Sequence, residues 1–120
     1  APDAARMYAI AQEIARRIFM VSGRVYTYGS MVTALYLSNG DFTDWAYGTF
    51  RCLAFTIELS PEYIDEGGFF TSEQMISEAF ADNLPVMLYF VDYFIPGSDE
   101  NQNPLPTAKD INFLDLPRLD

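Results

Sequence analysis

Residues 52–59 read CLAFTIEL. Leu53, Phe55, Ile57 and Leu59 alternate with Ala54, Thr56 and Glu58, the period of two expected of a β-strand. The first set predicts a core-facing side, and the second, small and polar, predicts the wall of a cleft. Glu58 is the anomaly in it. An ionised carboxylate taken out of water without a partner is costly, and its proton affinity usually changes instead. A glutamate so placed is a candidate general base. The plainer reading is an edge-strand glutamate facing water or paired with an arginine.

Upstream, residues 2–22 carry Met7, Ile10, Ile14, Ile18 and Val21 at helical spacing, with Arg6, Gln12, Glu13, Arg16 and Arg17 mostly on the other face. This predicts an amphipathic helix with Asp3 as N-cap and Gly23 as C-cap. RVYTYG (24–29) reads as a short strand or extended entry, and SMVTALY (30–36) is ambiguous between strand and loop. SNGD (38–41) signals a turn, and FTDWAYG (42–48) starts a helix capped by Thr43 or Asp44.

Downstream, SPEYIDEGG (60–68) is a loop, and residues 71–94 read as a second long helix. Thr71 with Gln74 matches a capping box. Met75, Ala79, Asn83 and Val86 form a stripe, and Pro85 predicts a kink or a fresh start. From Ile95 onward periodicity fades and four of the seven prolines gather, as in a linker or a surface tail. The expected organisation is one domain portion over 1–95 and a Pro-rich tail over 96–120.

The totals exclude several functions. A net charge of −10 with seven basic residues leaves no cationic patch for nucleic acid or an anionic membrane. The apolar run LPVMLYFVDYFI (84–95) contains Asp92 and is shorter than a membrane span. With no histidine, a Ser–His–Asp triad, a Cys–His pair and nearly every catalytic zinc site are ruled out for this chain alone. Cys52 is the sole cysteine, so no internal disulfide forms. Half the residues are hydrophobic, which predicts either a dense core or a face made for another piece of protein.

In order and spacing, Tyr26-Thr27-Tyr28-Gly29, Tyr36, Ser38-Asn39-Gly40, Asp44-Trp45-Ala46-Tyr47 and Phe55-Thr56-Ile57-Glu58-Leu59 closely resemble the C-terminal half of zinc metallocarboxypeptidases of the carboxypeptidase A type. The resemblance covers about residues 5–95. It implies an α/β fold: a fragment of the carboxypeptidase-type α/β/α architecture, with a mixed sheet and two long helices flanking a few strands. It also implies a zinc-dependent exopeptidase that removes C-terminal amino acids from peptides.

By position, Glu58 matches the glutamate that takes a proton from zinc-bound water and passes it to the leaving amine. Tyr36 matches the tyrosine of a mobile loop that closes over the peptide and bonds its terminal carboxylate. Met31, Leu35, Ser38, Asp41, Thr43 and Thr56 match positions around the pocket for the last side chain. Thr43 sits where the family varies between an apolar residue and aspartate. Asp41 replaces what is often glycine, and would favour a basic terminal residue if it points inward.

The resemblance places the family's zinc ligands and carboxylate-binding arginines upstream of the matching segment. Zinc is therefore expected in the intact parent and none in this chain, which alone is expected to be inactive. The expected partners are the peptide C-terminus, the missing N-terminal half of the domain, and a second copy through self-association. The resemblance implies a secreted or periplasmic parent, and the sequence leaves a cytoplasmic one open. Two other readings stand beside it: a non-catalytic remnant serving as a scaffold or protein-binding module, and a carboxylate-pair glycosidase using Glu58 with Asp44 or Asp41.

Overall fold

The computed structural model describes residues 2–34, 40–61 and 63–95. Among these residues four α-helices follow in chain order: α1 (Ala4–Ser22), α2 (Met31–Ala34), α3 (Phe42–Phe50) and α4 (Glu73–Phe94). A 3-10 turn, Ile64–Glu66, precedes α4.

Helix α1 forms where the apolar period predicts it. Asp3 is its N-cap by position, but its carboxylate accepts from the Tyr47 hydroxyl at 2.8 Å and not from the helix. Gly23 ends the helix at φ 76°, a left-handed conformation that glycine adopts without a Cβ penalty. Helix α4 runs unbroken through Pro85, with neither the expected restart nor a gap in its helical assignment. Its cap is Ser72, whose hydroxyl accepts from the Met75 amide, so the Thr71–Gln74 box does not form. Gln74 instead donates to Glu78.

Among the described residues, α1 and α4 are the pair of elements in extensive contact. Their seam is the core: Ile10, Ile14 and Ile18 against Val86, Tyr89 and Tyr93. Fully burying such a side chain contributes about 1.5–3 kcal/mol relative to leaving it in water. Gln12 and Glu13, assigned to the solvent side by periodicity, are buried too. Burial raises the proton affinity of Glu13. The hydrogen bonds and charges of Arg16 and Arg17 outweigh it and hold the carboxyl below its ordinary range. Arg17 also lies over the Tyr89 ring at 4.5 Å, joining this polar cluster to α4.

The expected mixed sheet is corrected. No strand occurs among the described residues, and the described fold is helical. Residues 51–59 carry no helical assignment and no ladder partner. A strand is completed only by a neighbour that takes its backbone hydrogen bonds. Here Leu53, Phe55 and Ile57 instead pack against the α1–α4 core as partly buried side chains. RVYTYG likewise forms no strand, and the ambiguous stretch after it opens as the single turn of α2.

Candidate active site

The segment that carries Glu58 is placed from both ends. Arg51 closes α3 at φ 56°, turning the chain out of the helix. Phe55 then meets Phe90 of α4 with ring centroids 5.6 Å apart. At the far end the Tyr26 hydroxyl lies 3.4 Å from Ser60 Oγ, two residues beyond Glu58. Tyr26 itself packs against the core cluster. The side chains pointing inward anchor the segment, and Thr56 and Glu58 are exposed. The burial expected of Glu58 is absent, so the desolvation argument for its reactivity does not apply. The water-facing alternative describes its setting.

Asp41 and Thr43 form one unit at the start of α3. The Asp41 carboxylate accepts from the Thr43 amide at 2.7 Å and also from the Thr43 hydroxyl. Asp41, not Thr43 or Asp44, is therefore the N-cap. The Thr43 side chain, and then its amide, hold the Asp41 carboxyl below its ordinary range. Both of its short-range donors come from its own helix, as expected of a capping aspartate.

Met31 begins α2 and is half-buried. Leu35, Tyr36 and Ser38 lie outside the described residues. The structure thus sets Thr56 beside Glu58 and Asp41 beside Thr43. No hydrogen bond or ion pair among the described residues joins the two groups. Tyr26 is named for its place in the Tyr-x-Tyr-Gly motif, but its support of the Glu58 segment through Ser60 was not read from the sequence. The only signal was a tyrosine whose hydroxyl needs a partner once its ring is packed.

The described residues hold no group of three or more His, Cys, Asp or Glu side chains that suits a metal ion. With no histidine in the sequence, the donor set does not fit a catalytic zinc, and no step is derived through one. No helix among the described residues is long and apolar enough to cross a membrane.

A groove of about 520 Å³ lies between the extended segment and α4. Leu53, Phe55, Ile57 and Leu59 form one wall, and Asn83, Met87, Phe90 and Phe94 the other. None of the expected site residues lines it, Glu58 included.

Residues 1–86 match the zinc carboxypeptidase family. Carboxypeptidase A4 of Mus musculus is 37% identical over 59 residues, which are 49% of this chain and 14% of that protein. Carboxypeptidase A5 of Homo sapiens is 36% identical over 53 residues, 44% of this chain and 12% of that protein. The match therefore spans only a small part of the length of these curated relatives. No solved structure matches.

Proposed function

This chain belongs to the zinc carboxypeptidase family, and on that premise we propose that Glu58 is the general base and acid of a C-terminal exopeptidase. The carboxylate would take a proton from the attacking water and deliver it to the leaving amine, a role that needs reach and a fixed position. The observation that supports this most is how Glu58 is presented. It stands exposed on a segment whose alternate residues are anchored in the core and whose end is tied at Ser60.

Tyr36 is proposed to hold the terminal carboxylate of the peptide. Met31, Leu35, Ser38, Asp41, Thr43 and Thr56 are proposed to surround its last side chain. The capping bonds of Asp41 favour a positioning part for it over direct recognition of a basic residue. Zinc, its ligands and the remaining carboxylate-binding groups would come from polypeptide outside these 120 residues, so the chain alone would cleave nothing.

The test is the Glu58→Gln variant in the longest open reading frame containing this segment. The expected loss is about 10²–10⁴-fold in kcat on a peptide with a free C-terminus. Unchanged turnover would overturn the assignment. The alternative is a non-catalytic binding module, and under it the unsubstituted protein is inactive as well.

A further inference from the structure

Tyr47 closes the Asp44-Trp45-Ala46-Tyr47 motif, and its hydroxyl carries the long-range hydrogen bonds of α3 among the described residues. It donates to Asp3 Oδ2 at 2.8 Å and accepts from the Asp3 amide at 3.4 Å, joining α3 to the start of α1. Little else among the described residues ties this helix down. It makes no extensive contact with another helix. Phe42, Trp45 and Phe50 pack on one another but are 55% to 70% exposed, so they do not anchor it. The Tyr47 ring also lies 5.4 Å from the Arg51 guanidinium, at the residue that ends α3. Thr43 stands four residues before Tyr47, so the two share one side of the helix. A hydroxyl fixed at Asp3 therefore sets where the Asp41–Thr43 cap lies.

We infer that Tyr47 is a positioning residue: through its bond to Asp3 it holds the Asp41–Thr43 end of α3 against the last side chain of a bound peptide. The inference rests on the exopeptidase reading of Glu58 and adds to it a residue that touches no substrate. Its kinetic signature follows from how the two parts are held. The Glu58 segment is anchored separately, through Phe55 and Ile57 in the core and Ser60 at its end. Loosening α3 therefore leaves the proton carrier in place. It weakens a contact made equally in the ground state and the transition state, which raises KM and spares kcat. A residue that only stabilises the fold would instead lower the active fraction, and so kcat, at unchanged KM.

The test is Tyr47→Phe in the longest open reading frame containing this segment, assayed on peptides that end in phenylalanine, arginine or glycine. For the better of the two large-ended peptides KM is expected to rise about 10-fold while kcat falls by less than about 2-fold. The glycine-ended peptide has no side chain to seat, and its KM should hold. Asp3→Leu should reproduce the effect from the other side of the bond, and it decides should Tyr47→Phe fold poorly. Asp3 makes no side-chain cap bond to α1, so the substitution removes no cap. The double variant should be no worse than either single one, because both remove one interaction. Asp3→Asn keeps an acceptor and should keep most of the parent KM. Glu58→Gln separates the two levels. An inactive parent, or full turnover in Glu58→Gln, overturns the exopeptidase reading and this inference with it. With an active parent and a failing Glu58→Gln, four results overturn the positioning role alone: an unchanged KM in Tyr47→Phe, a loss confined to kcat, an equal loss on the glycine-ended peptide, or additive effects of Tyr47→Phe and Asp3→Leu.

Discussion

Arg24 Nε lies 3.2 Å from Asp82 Oδ2, linking the turn after α1 to the buried side of α4. Asp82 is almost wholly buried, whereas Arg24 is about one-third exposed and also reaches Glu78 at 3.2 Å. The pair joins elements far apart in sequence, and the helix–helix seam lies beside it.

Removing the arginine leaves the aspartate buried without its cation, which is worse than never having had the pair. Asp82 Oδ2 makes no hydrogen bond and Arg24 is one-third exposed, so Arg24→Ala is expected to cost about 1–3 kcal/mol, less than a fully buried pair would. The double variant Arg24→Ala/Asp82→Ala should recover part of that loss. Urea unfolding followed by circular dichroism measures both. Equal stability of the single variant and the parent chain would show that the contact is incidental.

Glu13 makes stability depend on acid. Its carboxyl is held below the ordinary value of 4.5 because Arg16 and Arg17 outweigh burial. The folded state thus binds the proton less tightly than the unfolded chain. This contribution is full above the unfolded value and is lost as pH falls through the folded one. The melting temperature is expected to drop between about pH 5 and pH 3 by more than in Glu13→Gln, which lacks this titration. Parallel curves for the two proteins would contradict the assignment.

The helices were legible because helical periodicity survives in a single segment. Ile10, Ile14 and Ile18 announce α1 without reference to anything else. The expected sheet did not form among the described residues; alternation in CLAFTIEL states only that two faces differ. It does not state what lies against either face, and here the apolar one meets α4 through Phe55 and Phe90. Gln12 and Glu13 were misplaced for a related reason. A helix face assigned by polarity ignores arginines one turn away, and Arg16 and Arg17 make burial of Glu13 tolerable. At the site, order and spacing carried Glu58 to the end of an anchored segment, but the cap at Asp41 depended on a turn geometry that composition does not specify.

The cap of α4 separates two adjacent hydroxyls. Ser72 Oγ accepts from the Met75 amide at 3.2 Å. Thr71 Oγ1 is buried with no hydrogen-bond partner. Ser72→Ala should cost about 1 kcal/mol. Thr71→Ala should be neutral or slightly stabilising, because it removes an unsatisfied polar atom. The reverse order in thermal melts would place the cap at Thr71.

Tyr26 and Glu58 separate support from chemistry. The Tyr26 hydroxyl meets Ser60 at 3.4 Å, a long hydrogen bond, so Tyr26→Phe should cost no more than about 1 kcal/mol. Its local effect should be larger than its global one, because the bond holds the end of the segment while Leu53, Phe55 and Ile57 hold the rest. Amide exchange at residues 57–60 is expected to quicken in Tyr26→Phe while exchange in α1 and α4 keeps its rate. Glu58→Gln, at an exposed side chain, should change stability by less than about 0.5 kcal/mol and leave exchange at those amides unaltered. If Glu58→Gln instead destabilises the chain as a core substitution does, its carboxylate holds the fold together and is not free to carry a proton.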